Sequence, residues 1–174
     1  MIIIYAVQKL LNTSGLKPPT YVSEPSENQY LHAWYAKLLA TGFAGKQLVM
    51  YVHQPSLLLV LTRGKSINTT LPAFLSRLPQ LMSRNNFKQD FVEEEMRWVL
   101  EGYVISRTNS RSMLASMNAI TVNIEVSCRE SNSYDLIDLN EIEDNYLDWL
   151  TLDAASGNYL RTKDYWVEKG ILSR

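Results

Sequence analysis

The amino-acid sequence predicts an α+β domain: a small mixed, largely antiparallel sheet packed around a buried central helix at about 112–128, with further helices at the C-terminal end. Three observations carry this. Ile2 to Val7 is a β-branched apolar run, which is the pattern of a buried strand. KQLVMYVHQPSLLLVLTRG reads as two strands joined by HQPS, a link short enough for a hairpin, with Pro55 in the turn. No charged residue falls between Arg111 and Glu125, and a helix apolar on most of its surface is a buried helix.

The remaining elements follow in order. Pro18, Pro19 and Pro25 make Leu16 to Ser26 a loop. In SENQYLHAWYAKLLATG, Ser26 is placed as an N-cap and Leu31, Trp34, Tyr35, Leu38 and Leu39 recur at helical spacing, so a helix is expected up to Gly42. The hairpin strands fall at about Gln47–His53 and Leu57–Thr62, and the second is continuously apolar, as in a strand covered on both faces. Thr69 or Thr70 caps a helix that carries Pro72 in its first turn and is kinked or divided at Pro79. Phe87 to Glu101 forms a further helix with Phe91, Met96, Val99 and Leu100 inward, and Tyr103 to Thr108 a short strand. Ser110 or Ser112 opens the apolar helix. Ile137–Leu152 is expected as an acidic helix and Thr162–Leu172 as a short final one. Residues 1–128 thus make the main domain and 129–174 an acidic helical extension packed on it.

Composition narrows the classes of function. A chain of 174 residues buries roughly 70% of its unfolded surface and folds without metal or disulfide. The single cysteine, Cys128, excludes an intrachain disulfide and suits a reducing compartment. The apolar N-terminal run is too short for a secretory signal and the later run LLLVL far too short for a membrane span, so a cytoplasmic protein with no membrane partner is expected. The net charge of −1 conceals an asymmetry: Glu130 to Asn158 holds eight acids and no base, while the rest of the chain balances at +7. That pattern suits a solvated acidic face, or an acidic segment lying across a basic anion or nucleic-acid surface. Arg63, Lys65, Arg77, Arg84 and Lys88 are candidates for the basic surface.

The chemistry-bearing stretch is RTNSRSMLASMN. A strand ending near Thr108 and followed by a helix leaves unpaired backbone N–H groups that attract anions. Arg107 and Arg111 supply planar donors for phosphate or carboxylate. Asn109, Ser110 and Ser112 supply hydrogen bonds, and Asn118 shares the face of Arg111 two turns on. The competing reading has Asn109, Ser110 and Ser112 as caps and the arginines paired with glutamates. No HExxH, CxxC, GxSxG or Gly-rich phosphate loop is present, and no cofactor or metal is expected. Glu141, Asp144 and Asp148 share a helix face that suits Mg²⁺ or, more simply, solvent. Cys128 reads as a packing thiol, and Tyr30, Trp34 and Tyr35 as packing aromatics.

MIII…KLL, AWYAKLL, LVMYVHQPSLLLVL and RTNSRSMLASMN, in that order, resemble a bacterial domain-of-unknown-function family whose members read like MIIRxTKKLL, WYANLL, LVLFVNExTLLPVL and TNSRSVLGSMND. The resemblance covers about residues 1–125. Some members are joined to a domain resembling a plasmid open-reading-frame protein, which implies a mobile-element context and no particular activity. Ala119 stands where the family has an acid, Ala115 where it has Gly, His53 where Asn is usual and Gln8 where Lys is frequent. Two functions are therefore expected: a non-catalytic binding or interaction protein, with a protein partner, in the mobile-element context that the resemblance implies; or an enzyme or binding domain for a phosphorylated small molecule or nucleic acid, using Arg107 to Asn118.

Overall fold

The structure, a computed structural model, describes residues 1–18 and 29–173. A five-stranded sheet is built from β1 (Ile2–Ala6), β2 (Ala33–Ala40), β3 (Gln47–His53), β4 (Leu59–Arg63) and β5 (Tyr103–Arg107), in the order β4-β3-β2-β1-β5. The α+β class stands, and the sheet is mixed. β2, β3 and β4 form an antiparallel meander, whereas β1 runs parallel to both of its neighbours, with Ile3 level with Ala33 and Val104. A two-stranded hairpin, β6 (Thr151–Asp153) and β7 (Asn158–Leu160), lies apart.

Helices cover both faces. On one, α1 (Gln8–Ser14), α2 (Ile67–Arg84), α3 (Gln89–Leu100) and α6 (Thr162–Glu168) bury Leu10, Phe74, Met96 and Trp166 against Ile4, Trp34 and Tyr51. On the other, α4 (Arg111–Arg129) and α5 (Leu139–Tyr146) bury Met117, Ile124, Ile142 and Tyr146 against Tyr35, Met50 and Leu59. Burying two such faces is the dominant stabilising term, at about 25 cal/mol per Å² of apolar area.

The segment expected as a helix with Leu31, Trp34, Tyr35, Leu38 and Leu39 on one stripe is instead strand β2. Trp34, Ala36 and Leu38 enter one core; Ala33, Tyr35 and Leu39 enter the other. A strand apolar on both faces contains helical spacings by default, because almost every position is apolar. Ser26 lies outside the described residues, as does most of the Leu16–Ser26 loop. The helix α4 is not a central rod. It covers one face, and its outer side leaves Val122 63% and Val126 49% exposed. Pro79 does not divide α2, which runs through both prolines from its N-cap Ser66, whose hydroxyl accepts from the Thr69 N–H. In α3, Leu100 is exposed and not inward. The acidic helix is shorter than expected, and the stretch after it forms the β6–β7 hairpin.

A candidate anion crevice at the carboxyl ends of β1 and β5

β1 and β5 are adjacent, parallel and end level with one another, Ala6 beside Arg107. From Ala6 the chain passes into α1 on one face of the sheet; from Arg107 it passes into α4 on the other. Neighbouring parallel strands whose following helices leave to opposite faces open a crevice beyond their carboxyl ends, the usual ligand position of open α/β sheets. On the α1 side, a cleft of about 400 Å³ is lined by residues that include Gln8, Asn12, Leu16, Lys17 and Arg107.

The turn from β5 into α4 is set by its polar residues. Ser110 has extended backbone and its Oγ accepts the Met113 N–H at 3.2 Å, a standard cap. Its hydroxyl also meets that of Ser112 at 3.0 Å. Asn109 Oδ1 accepts from the Tyr35 hydroxyl at 2.5 Å. Burial pushes the Tyr35 hydroxyl up to about 12, helped by Tyr5 and opposed by its hydrogen bond with Ser110. The Tyr35 phenol is thus held as a donor. Tyr5 stacks on it with ring centres 4.9 Å apart.

Asn118 is reached from below. The Lys37 ammonium, rising from β2, donates to Asn118 Oδ1 at 2.7 Å and to Thr121 Oγ1 at 3.1 Å. Burial lowers the Lys37 pKa, Glu125 opposes the shift and Lys9 adds to it. Of the six residues proposed from sequence, Arg107, Asn109, Ser110, Arg111 and Ser112 therefore gather at one turn. Asn118, two turns further along α4, is held by Lys37 instead. Arg107 and Arg111 are exposed, and neither pairs with an acid among the described residues. Of the three caps in the competing reading only Ser110 is one, Asn109 and Ser112 bonding to Tyr35 and Ser110, and the arginine–glutamate pairs are absent among the described residues. Lys37 and Tyr35 were missed as partners of α4 and the turn before it because their strand was read as a helix. Strand alternation, which puts 35, 37 and 39 on one face, is the signal that finds them.

The other candidates are occupied elsewhere. Arg77 and Arg84 reach the buried Glu143 carboxylate at 2.8 and 2.6 Å, and Arg84 also holds Asp144. Arg63 lies over the Tyr134 ring and donates to the Tyr134 and Ile137 carbonyls. These three arginines tie the acidic segment to the body. Asp148 faces Lys163, and among the described residues no group of three acids, cysteines or histidines is placed to hold a metal. Cys128 is buried and its thiol is pushed up to about 11 by burial, as befits packing. Among the described residues no helix is long and apolar enough to cross a membrane.

The fold is that of an α+β domain with a mixed sheet and helices on both faces. The chain belongs to a family described as a domain of unknown function (DUF6933), whose model matches residues 3–156. The match runs past the motif-bearing residues 1–125, through α5 and into the β6–β7 turn, so the family unit includes the acidic segment. Comparison with curated proteins and with solved structures gave no match.

Proposed function

We propose that this chain is a non-catalytic binding domain whose ligand carries phosphate or a similar oxyanion, held by Arg107 and Arg111 where β5 turns into α4. The observation that carries this reading is that both guanidinium groups stand exposed, without an acid partner among the described residues, and that Arg107 lines a cleft at a switch point of the sheet. The N–H groups opening α4 add a favourable field for an anion. Support for binding without turnover comes from the polar groups at the turn: Ser110 is engaged as a cap and Tyr35 is held protonated. A bacterial cytoplasmic accessory role in a plasmid or other mobile element, as the resembling family implies, fits a domain of this kind. A second reading, an enzyme acting on a phosphorylated small molecule or nucleic acid, is favoured by Lys37, a basic amine whose pKa burial lowers and which contacts α4 at Asn118 and Thr121.

The test is a thermal-shift panel of nucleotides, sugar phosphates, inorganic phosphate and short DNA and RNA on the wild type and on Arg111→Ala. A ligand at a hundredfold its Kd stabilises the fold by about 2.7 kcal/mol. For a chain of this size that raises Tm by roughly 5–11 °C. The shift is expected in the wild type and not in Arg111→Ala. A panel that shifts neither protein, or shifts both equally, refutes the site. Turnover that Arg111→Ala abolishes selects the enzyme reading.

A further inference from the structure

The two edges of the five-stranded sheet are treated differently. At β4 the Leu61 N–H donates to the buried Glu143 carboxylate at 2.7 Å, and Arg63 fastens the 134–137 turn alongside. That edge is covered. At the other edge, β5 pairs with β1 alone among the described residues. The bond from the Ile2 N–H to the Gly102 carbonyl, 2.9 Å, fixes its phase. In a parallel ladder alternate residues face the partner, so Val104 and Ser106 turn to β1. Tyr103, Ile105 and Arg107 then present their N–H and C=O groups outward.

Natural edges are commonly blunted by proline, lysine, a bulge or a covering segment. β5, with the sequence YVISR, has neither proline nor lysine. Beside it Met1, Trp98, Leu100 and Tyr103 are 43%, 40%, 64% and 50% exposed. An open ladder flanked by an apolar patch is the arrangement used for strand addition.

We infer that this edge joins two copies of the chain, β5 pairing antiparallel with the β5 of its partner about a two-fold axis at Ile105. Charge selects a second copy in this orientation. The only charge in β5 is Arg107 at its carboxyl end, and Glu101 lies just before its amino end. Antiparallel pairing sets each Arg107 opposite the other copy's Tyr103 ring and diagonal to its Glu101, twice per seam. Parallel pairing would set two arginines side by side. The outward groups of Ile105 then meet those of its own two-fold image, and those of Tyr103 meet the other copy's Arg107 and the reverse, as an isologous interface requires. The seam shares Arg107 with the anion reading but leaves Arg111 and the start of α4 outside it.

The experiment is the molar mass of the full chain by size-exclusion light scattering over a concentration series, for the wild type, Tyr103→Lys and Ile105→Pro. Ile105→Pro removes a donor that faces away from β1, and Tyr103→Lys places a cation against the partner's Arg107. The expected result is a wild-type mass of two chains that halves in both variants, with far-UV circular dichroism unchanged. The amides of Ile105 and Arg107 should resist hydrogen exchange in the wild type and lose that protection in Tyr103→Lys. Should Ile105→Pro unfold, the half-exposed Tyr103→Lys change decides. A wild type that is monomeric throughout, or a dimer that Tyr103→Lys leaves intact, overturns the proposal. Loss of the dimer in Tyr103→Lys with phosphate-dependent thermal shifts retained separates this outcome from the fate of the anion site.

Discussion

Replacing Glu143 with alanine should cost the domain about 3 kcal/mol, and the cost can be assembled from the three bonds that its carboxylate accepts. The side chain is fully buried. Its Oε1 takes the Leu61 N–H at 2.7 Å, and its Oε2 takes Arg77 and Arg84 at 2.8 and 2.6 Å. Stranding a buried backbone donor costs about 1–3 kcal/mol. Removing one partner of a buried ion pair costs about 3–5 kcal/mol when the remaining charge cannot reach water. Arg77 and Arg84 keep 22% and 24% of their side-chain surface exposed, so they can turn outward, and their share falls to about 1 kcal/mol. The sum lies near 3 kcal/mol, or a fall in Tm of roughly 6–12 °C. Urea titration should show the midpoint falling with the slope unchanged. Glu143→Gln, which keeps an acceptor for Leu61, should recover part of the loss. A loss below about 1 kcal/mol for Glu143→Ala would refute the view that this carboxylate seals the β4 edge.

Four further outcomes are expected. His53 is buried between Tyr30, Ser56 and Trp166, and burial holds its pKa down to about 3 against an ordinary 6.5. The unfolded chain therefore takes up that proton first. Stability is full above pH 6.5 and falls by up to about 1.4 kcal/mol per pH unit as pH drops towards 3; equal acid limbs for wild type and His53→Asn would refute this. Ser110→Ala should cost about 1 kcal/mol by denaturant titration, the worth of a helix cap. Gly64→Ala should cost about 1–3 kcal/mol in the same assay, because φ is +137° and the new Cβ would stand 2.8 Å from Thr70 Cγ2. Arg107→Ala should weaken inorganic-phosphate binding by about tenfold or more, read by calorimetry, as the loss of a charge-assisted hydrogen bond does; unchanged affinity would place Arg107 outside the site.

The sequence made β1, the β3–β4 hairpin, α2, α3 and β5 legible through their apolar patterns, although α2 is capped by Ser66 and not by Thr69 or Thr70, and α3 has no side-chain cap. It misled at AWYAKLLA, where burial on both faces erased the alternation that separates strand from helix. It also misled at Val122 and Val126, since an uncharged helix is not always a covered one. The polar turn Arg107 to Ser112 stood out as a candidate because two arginines exceed what a cap requires, and the structure leaves both exposed and without an acid partner among the described residues. Lys37 was not visible. Its approach to Asn118 spans 81 residues and depends on which strands lie side by side. The same holds for Arg77 and Arg84, which resemble surface cations until Glu143 is placed beneath them.

The position of β1 bears on how the chain is made. Its two neighbours lie about thirty and about one hundred residues downstream. At 5–20 residues per second, roughly 5–20 s separate the emergence of Ile2 from that of Tyr103. Meanwhile the β2–β4 meander can close on its own local contacts, while one side of the Ile2–Ala6 backbone stays without its partner. The nascent chain thus carries a sticky strand for most of its synthesis, and β5 acts as the late bolt that closes it. A ribosome paused before residue 103 would therefore hold out an apolar strand, a target for chaperones and a seed for aggregation.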